Sequence, residues 1–174
     1  MKSVIKKITL SKSVYNMLFW MLLSISFAFS PVSLASNVHP DWLKEALANA
    51  KELDRKDPYL AFEFLDKVKA ARFEQMSDFD KATVLNKLAL YKLYLGDFST
   101  AEQLNSDAKR LFPEAKTETG INILLLEGSL LDIAGKTEQS LSFYQQAIEQ
   151  AKQEENNQLL ADSYSAMALA HSNS

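Results

Sequence analysis

GDFSTAEQLNSDAKRLFP, from Gly96 to Pro113, sets a glycine-led turn before a short helix and a proline after it. Its parts recur along the chain, and that recurrence decides the fold. Gly96 and Gly135 stand 39 residues apart. The small residues Ala61, Ala101 and Ser140 follow one another at spacings of 40 and 39, and Ala108 and Ala147 repeat at 39 again. A fixed period of roughly 20 to 50 residues is what a stack of supersecondary units leaves in a sequence, because no unit buries its apolar face alone. Small side chains are needed at the repeated positions, where the two helices of a unit and the next unit approach closely.

The apolar pattern elsewhere agrees. In DWLKEALANAKEL, Trp42, Leu43, Ala46, Leu47, Ala50 and Leu53 recur at steps of three and four, one stripe along a helix. Asp57-Pro58 reads as an N-cap and a first-turn proline opening a second helix through YLAFEFLDKVKAARF. A third helix, DKATVLNKLALYKLYL, stops at Gly96, whose tolerance of positive φ suits the residue just past a helix end. Ser99 with Glu102 predicts a capping box for the fourth, which ends before Pro113. INILLLEGSLLDIA, QSLSFYQQAIEQAKQEEN and LLADSYSAMALAH complete seven expected helices. Only 4 glycines and 4 prolines punctuate 174 residues, too few turns for a many-stranded β protein. The expectation is an all-α chain with hairpins at about 40–73, 79–113 and 120–155 and a half repeat at 158–172.

The run Leu85, Leu88, Ala89, Gly96-Asp97-Phe98, Ala101, Ala108 and Pro113 resembles a tetratricopeptide repeat (TPR), with apolar, small, turn, small and proline positions in that family's order. Leu124, Gly128, Leu131, Gly135, Ser140, Tyr144 and Ala147 fall on the corresponding positions of the next unit, and Tyr164, Met167, Ala168 and His171 match the first helix of another. The earliest unit, Leu43 to Phe73, keeps Ala61 and Leu65 but has Asp57-Pro58 in the turn. The resemblance implies a right-handed α-solenoid of antiparallel helical hairpins. Its period of 39 to 40 exceeds the usual TPR length of about 34. That longer period is similar to the TPR regions of MalT-type bacterial regulators and of exported sensor regions preceding signalling domains.

In TPR register the first helix of each hairpin faces the concave side. The resemblance therefore implies a groove lined by Asn86, Leu90 and Tyr94, then by Asn122, Leu125, Ser129 and Asp132, then by Asp162, Ser165 and Leu169. Such a groove takes a peptide, a helix or another protein. The lysine and asparagine set with which some TPR domains clamp a carboxy-terminal carboxylate is not matched, since Asn86 stands without the accompanying basic residues.

The first 35 residues are a different text. Lys2, Lys6, Lys7 and Lys12 precede the apolar run MLFWMLLSISFAF, and Ser33-Leu34-Ala35 supplies small residues for a signal peptidase. This reads as a secretory signal peptide cleaved after Ala35, and the apolar run is short for a bilayer span. Its four lysines belong to the 19 basic residues, so removal leaves 15 against 22 acidic ones, a net charge near −7. An acidic exported domain is a poor nucleic-acid binder. The absence of cysteine excludes a disulfide framework and a bacterial lipoprotein anchor. The expected setting is the periplasm or the exterior, with no membrane span in the mature chain.

No catalytic constellation emerges, so the reading is not an enzyme, and no metal or cofactor is expected. His39 and His171 lie near opposite ends of the array; His39 reads as exposed and His171 as a helix-packing residue. Glu114, Glu118, Glu154 and Glu155 read as solvated faces, and no glycine-rich phosphate loop exists. The basic sets Lys67, Lys69, Arg72 and Lys109-Arg110 read as solubilising outer-face charge; an acidic-ligand site would require them to line a groove.

Two functions fit these residues. The first is a protein-interaction scaffold with a protein or peptide partner in its concave groove. The second is the periplasmic input region of a larger membrane signalling protein, of diguanylate cyclase or histidine kinase type. The next turn glycine would fall near position 175, so the last helix is expected to lack a hairpin partner, leaving Tyr164, Met167 and Leu169 open to self-association or to a continuing chain.

Overall fold

The computed structural model of the chain describes residues 38–114 and 116–172; the signal peptide expected at 1–35 lies outside them. The described residues form seven α-helices and one 3-10 turn, with no strand among them. The helices are α1 (Asp41–Asp54), α2 (Pro58–Arg72), α3 (Asp78–Tyr94), α4 (Phe98–Leu111), α5 (Glu118–Ile133), α6 (Thr137–Gln153) and α7 (Asn157–Ser172). The 3-10 turn, Phe73–Gln75, follows α2. The chain is all-α. Helices α2, α4 and α6 begin 40 and 39 residues apart, and α3, α5 and α7 do the same.

The turns show why. Gly96 has φ 76°, its N–H bonds to the Leu93 carbonyl, and the Asp97 N–H bonds to the Lys92 carbonyl at 2.9 Å. This pair of bonds satisfies two orphan carbonyls at the end of α3 in a Schellman motif. Gly135 repeats it after α5, with φ 71° and the Lys136 N–H on the Leu131 carbonyl at 2.8 Å. A third copy closes α6, where Glu155 holds the left-handed position at φ 52° and the Asn156 N–H reaches the Ala151 carbonyl.

N-caps follow from the same turns. Asp57 accepts from the Tyr59 N–H at 2.8 Å with Pro58 in the first turn, as the sequence indicates. The expected capping box at Ser99 and Glu102 is not what opens α4: Asp97 is the cap, accepting from the Thr100 N–H at 3.3 Å. Once Gly96 has reversed the chain, the next residue is already in the cap position. Ser77, Thr117 and Asn156 cap α3, α5 and α7 by accepting from the third amide of each helix. These caps lie 40 and 39 residues apart and carry the period in a residue class that the sequence reading passed over.

The repeated small residues are where the helices meet. Ala61, Ala101, Ala108, Ser140 and Ala147 are all fully buried. Each helix packs on the next, and α3 also packs on α5, and α5 on α7. Leu43, Leu65, Val84 and Leu88 join α1, α2 and α3 in one apolar cluster, while Ile121, Leu124, Ala147 and Leu159 join α5, α6 and α7. Ala82, Leu85, Ala108 and Ile123 form a third cluster joining α3, α4 and α5.

Both histidines differ from expectation. His39 is largely covered, with its Nδ1 2.6 Å from Asp80 Oδ1 and its ring stacked on Phe79 at 4.6 Å. His171 is exposed on α7.

Candidate functional site

The residues expected to line a groove sit on α3, α5 and α7, and the structure gives them unequal surroundings. Asn86 corrects the expectation: it is 4% exposed, and its Nδ2 donates to Asn105 Oδ1 at 3.0 Å. Asn105, fully buried on α4, donates in turn to the Ile123 carbonyl at 3.1 Å and to Glu127 Oε2 at 3.3 Å. A buried amide without such partners is costly, so this chain of bonds commits Asn86 to the packing of α3, α4 and α5. It is not available to a ligand.

The rest of the α3 set is more open. Leu90 is half-buried, and Tyr94 is 55% exposed at the helix end. On α5, Asn122, Leu125, Ser129 and Asp132 are all half-buried. Leu125 packs against the Ile121–Leu124–Ala147 cluster. Ser129 donates to the Leu125 carbonyl at 3.0 Å and accepts from the Tyr144 hydroxyl at 3.3 Å, so it is turned toward α6. On α7, Asp162 and Ser165 are exposed; Asp162 accepts from Gln158 Nε2, and Ser165 donates to the Ala161 carbonyl. Leu169 is 62% exposed.

The electrostatics of this face link helices far apart in sequence. Burial raises the Tyr94 phenol above its ordinary value, with the carboxylates of Asp54 on α1 and Asp162 on α7 adding to the effect. Tyr94 and Asp162 are thus two expected groove residues that the structure brings within electrostatic reach of each other. One turn earlier, Tyr91 is 3% exposed, and burial followed by Asp54 and Tyr94 pushes its hydroxyl up to about 12. Lys87 is half-buried on the same helix. Burial lowers its ammonium below the usual lysine value, Lys51 pushes the same way, and Glu118 and Asp54 oppose it.

Sequence reasoning missed Lys87, Tyr91 and Asp54. Lys87 and Tyr91 share the helix and, by spacing, the neighbourhood of Tyr94. The available signal was a lysine and two tyrosines at steps of four and three inside an otherwise apolar helix. A half-exposed phenol under the influence of two carboxylates, one turn from half-buried Leu90, can donate hydrogen bonds and hold an apolar or cationic group. It offers no nucleophile paired with a base.

The remaining polar cluster does not supply one either. Ser77 Oγ donates to Asp80 Oδ2 at 2.8 Å while His39 holds the other carboxylate oxygen. The carboxylate stands between imidazole and hydroxyl, the reverse of the order in which a base activates serine. Among the described residues, no group of three or more His, Cys, Asp or Glu side chains is placed to hold a metal ion, and no helix is long and apolar enough to cross a membrane. No protein-family model, curated protein or solved structure matches the chain.

Proposed function

We propose that the chain is an exported, right-handed α-solenoid of TPR type whose first-helix face takes a peptide or protein partner. The observation that carries the reading is the packing of first helix on first helix, α3 on α5 and α5 on α7, with the carboxylates of Asp54 and Asp162 adding to the effect of burial on the Tyr94 phenol. The 40- and 39-residue spacing of helix starts, the repeated Schellman turns and the packing of α3 on α5 and α5 on α7 support the solenoid. Tyr94 supplies a rigid amphipathic anchor, the kind of side chain that dominates protein interfaces. Binding in the helix-in-groove or extended-peptide mode then rests on that anchor, on Leu90 and on the polar edge at Asp162.

The test uses a partner recovered with the full chain from a cell-envelope extract. Tyr94→Ala and Asp162→Ala are each expected to weaken its binding by about tenfold or more while leaving the far-UV circular dichroism unchanged. Undiminished affinity in both variants removes this face as the binding surface.

A further inference from the structure

Two hollows open beside α2, lined by none of the residues expected in the first-helix groove. Where α2 runs into the 3-10 turn, a cleft of about 530 Å³ opens toward the end of α4, with Phe73, Leu85, Leu104 and Leu111 among its walls. On the other side of Ala71 and Arg72 lies a second hollow of about 410 Å³, lined by Trp42, Ala46, Phe64 and Val68. Ala71 and Arg72 belong to both, so the two hollows share these residues.

The charges at this edge are those that the sequence suggested were merely solubilising. Lys69 and Arg72 come from the last turn of α2 and Arg110 from the last turn of α4, and all three line the larger cleft. Favourable interaction with the helix dipole accounts for cations at helix ends. It does not account for apolar hollows beside them. Lys69 is paired with Asp66 and Arg110 with Asp107, each within its own helix; such partly exposed pairs contribute little and exchange readily. Arg72 has no carboxylate partner among the described residues and lies over the Trp42 ring at 4.9 Å. Lys69, Arg72 and Arg110 outnumber Glu74 and Asp107 around the cleft, although the whole chain has a net charge of −3.

We infer that the paired hollows dock an acidic amphipathic peptide segment of a partner protein, with an apolar side chain in each hollow and a carboxylate on Arg72. An arginine stacked on an aromatic ring is preorganised for bidentate carboxylate recognition. A helical segment with apolar anchors on one face and a carboxylate between them presents this pattern. The site shares no residue with the expected groove set and stands or falls independently of it.

Trp42 makes the inference measurable. The chain has 2 tryptophans, and in the full-length Trp20→Phe variant, excited on the red edge where tyrosine does not absorb, Trp42 is the only emitting residue. The probes are dye-labelled, amidated peptides of roughly twelve residues with leucines at i and i+7 and glutamate between them. The expected result is a saturable change in Trp42 emission that matches the anisotropy titration. Arg72→Met weakens binding about tenfold, and replacing the peptide glutamate by glutamine costs the same factor in the parent chain but nothing further in Arg72→Met. Ala71→Leu, at an exposed helix position, narrows both hollows and weakens binding with unchanged thermal melting. Absence of saturation up to the peptides' solubility limit overturns the inference. So does peptide affinity indifferent to Arg72→Met and Ala71→Leu, or a Trp42 response to sodium decanoate matching that to the peptides.

Discussion

The hairpins α3/α4 and α5/α6 share a period and a turn yet fill the same interior position in opposite ways. Position 105 in α4 corresponds to position 144 in α6, and both are almost completely buried. In the first hairpin the residue is Asn105, and the helix facing it has Ala89 at the position where the second hairpin has Gly128. In the second it is Tyr144, and a Cβ added at Gly128 would lie 2.5 Å from the Tyr144 ring. One hairpin is joined by a small polar side chain that bonds to three groups, the other by a large ring laid against a glycine. The repeat conserves helix placement and trades volume against hydrogen bonding inside it.

The largest effect is expected from removing that ring. Tyr144→Ala should cost about 3–5 kcal/mol in chemical denaturation, because a buried aromatic leaves a cavity that the backbone cannot close. Asn105→Ala should cost about 3 kcal/mol for a different reason, leaving Asn86, the Ile123 carbonyl and Glu127 short of partners. The two losses separate when Asn86 is also changed: Asn86→Ala should be markedly less damaging in the Asn105→Ala background and simply additive with Tyr144→Ala. Additivity in both backgrounds would erase the contrast.

Gly128→Ala tests the volume trade itself. The new methyl forces the buried Tyr144 ring to move and should cost about 2 kcal/mol. In a Tyr144→Asn background, which imitates the other hairpin, the same substitution should be nearly neutral. A similar magnitude is expected from pH. Tyr91 in α3 corresponds to Leu130 in α5, so only the first hairpin carries a buried phenol at this position. Its folded-state value of about 12 exceeds the ordinary 10.0, so the unfolded chain gives up this proton first. The resulting stabilisation, up to about 2 kcal/mol, is complete below pH 10 and lost as the pH rises toward 12. Tyr91→Phe should reduce that alkaline decline, leaving the smaller contribution of Tyr94. Lys87 acts with the opposite sign, since its lowered value makes folding more favourable as the pH rises through its titration.

The smallest change concerns Ser140, the counterpart of Ala61 and Ala101. Its hydroxyl is buried without a hydrogen-bond partner. Ser140→Ala should therefore stabilise the second hairpin by about 1 kcal/mol, visible as a raised melting temperature.

These contrasts also mark what the residues reveal on their own. Ala61, Ala101 and Ala108 were legible as contact points because a small side chain is required wherever two helix backbones approach closely. Gly96 and Gly135 were legible because positive φ is strained for most other residues. Asn86 was not, since its register places it on the first helix while its environment depends on Asn105, 19 residues away. Nothing local announces such a partner. The same holds for His39, whose covering comes from Asp80 and Phe79, some 40 residues downstream. Tyr94 and Asp162 could be named from register, but the influence of Asp54 on both tyrosines depends on how α1 lies against α3. The cation-lined cleft arises in the same way, when the ends of two repeated helices face one another.

Site-specific photocrosslinking tests the functional account most directly. A benzophenone amino acid is placed singly at Tyr94 and Asp162 on the first helices and at Glu102 and Gln145 on the exposed sides of α4 and α6. In cells making the chain, positions 94 and 162 are expected to yield the same protein adduct and positions 102 and 145 none. Adducts confined to 102 and 145, or none at 94 and 162, would contradict a binding surface on the first helices.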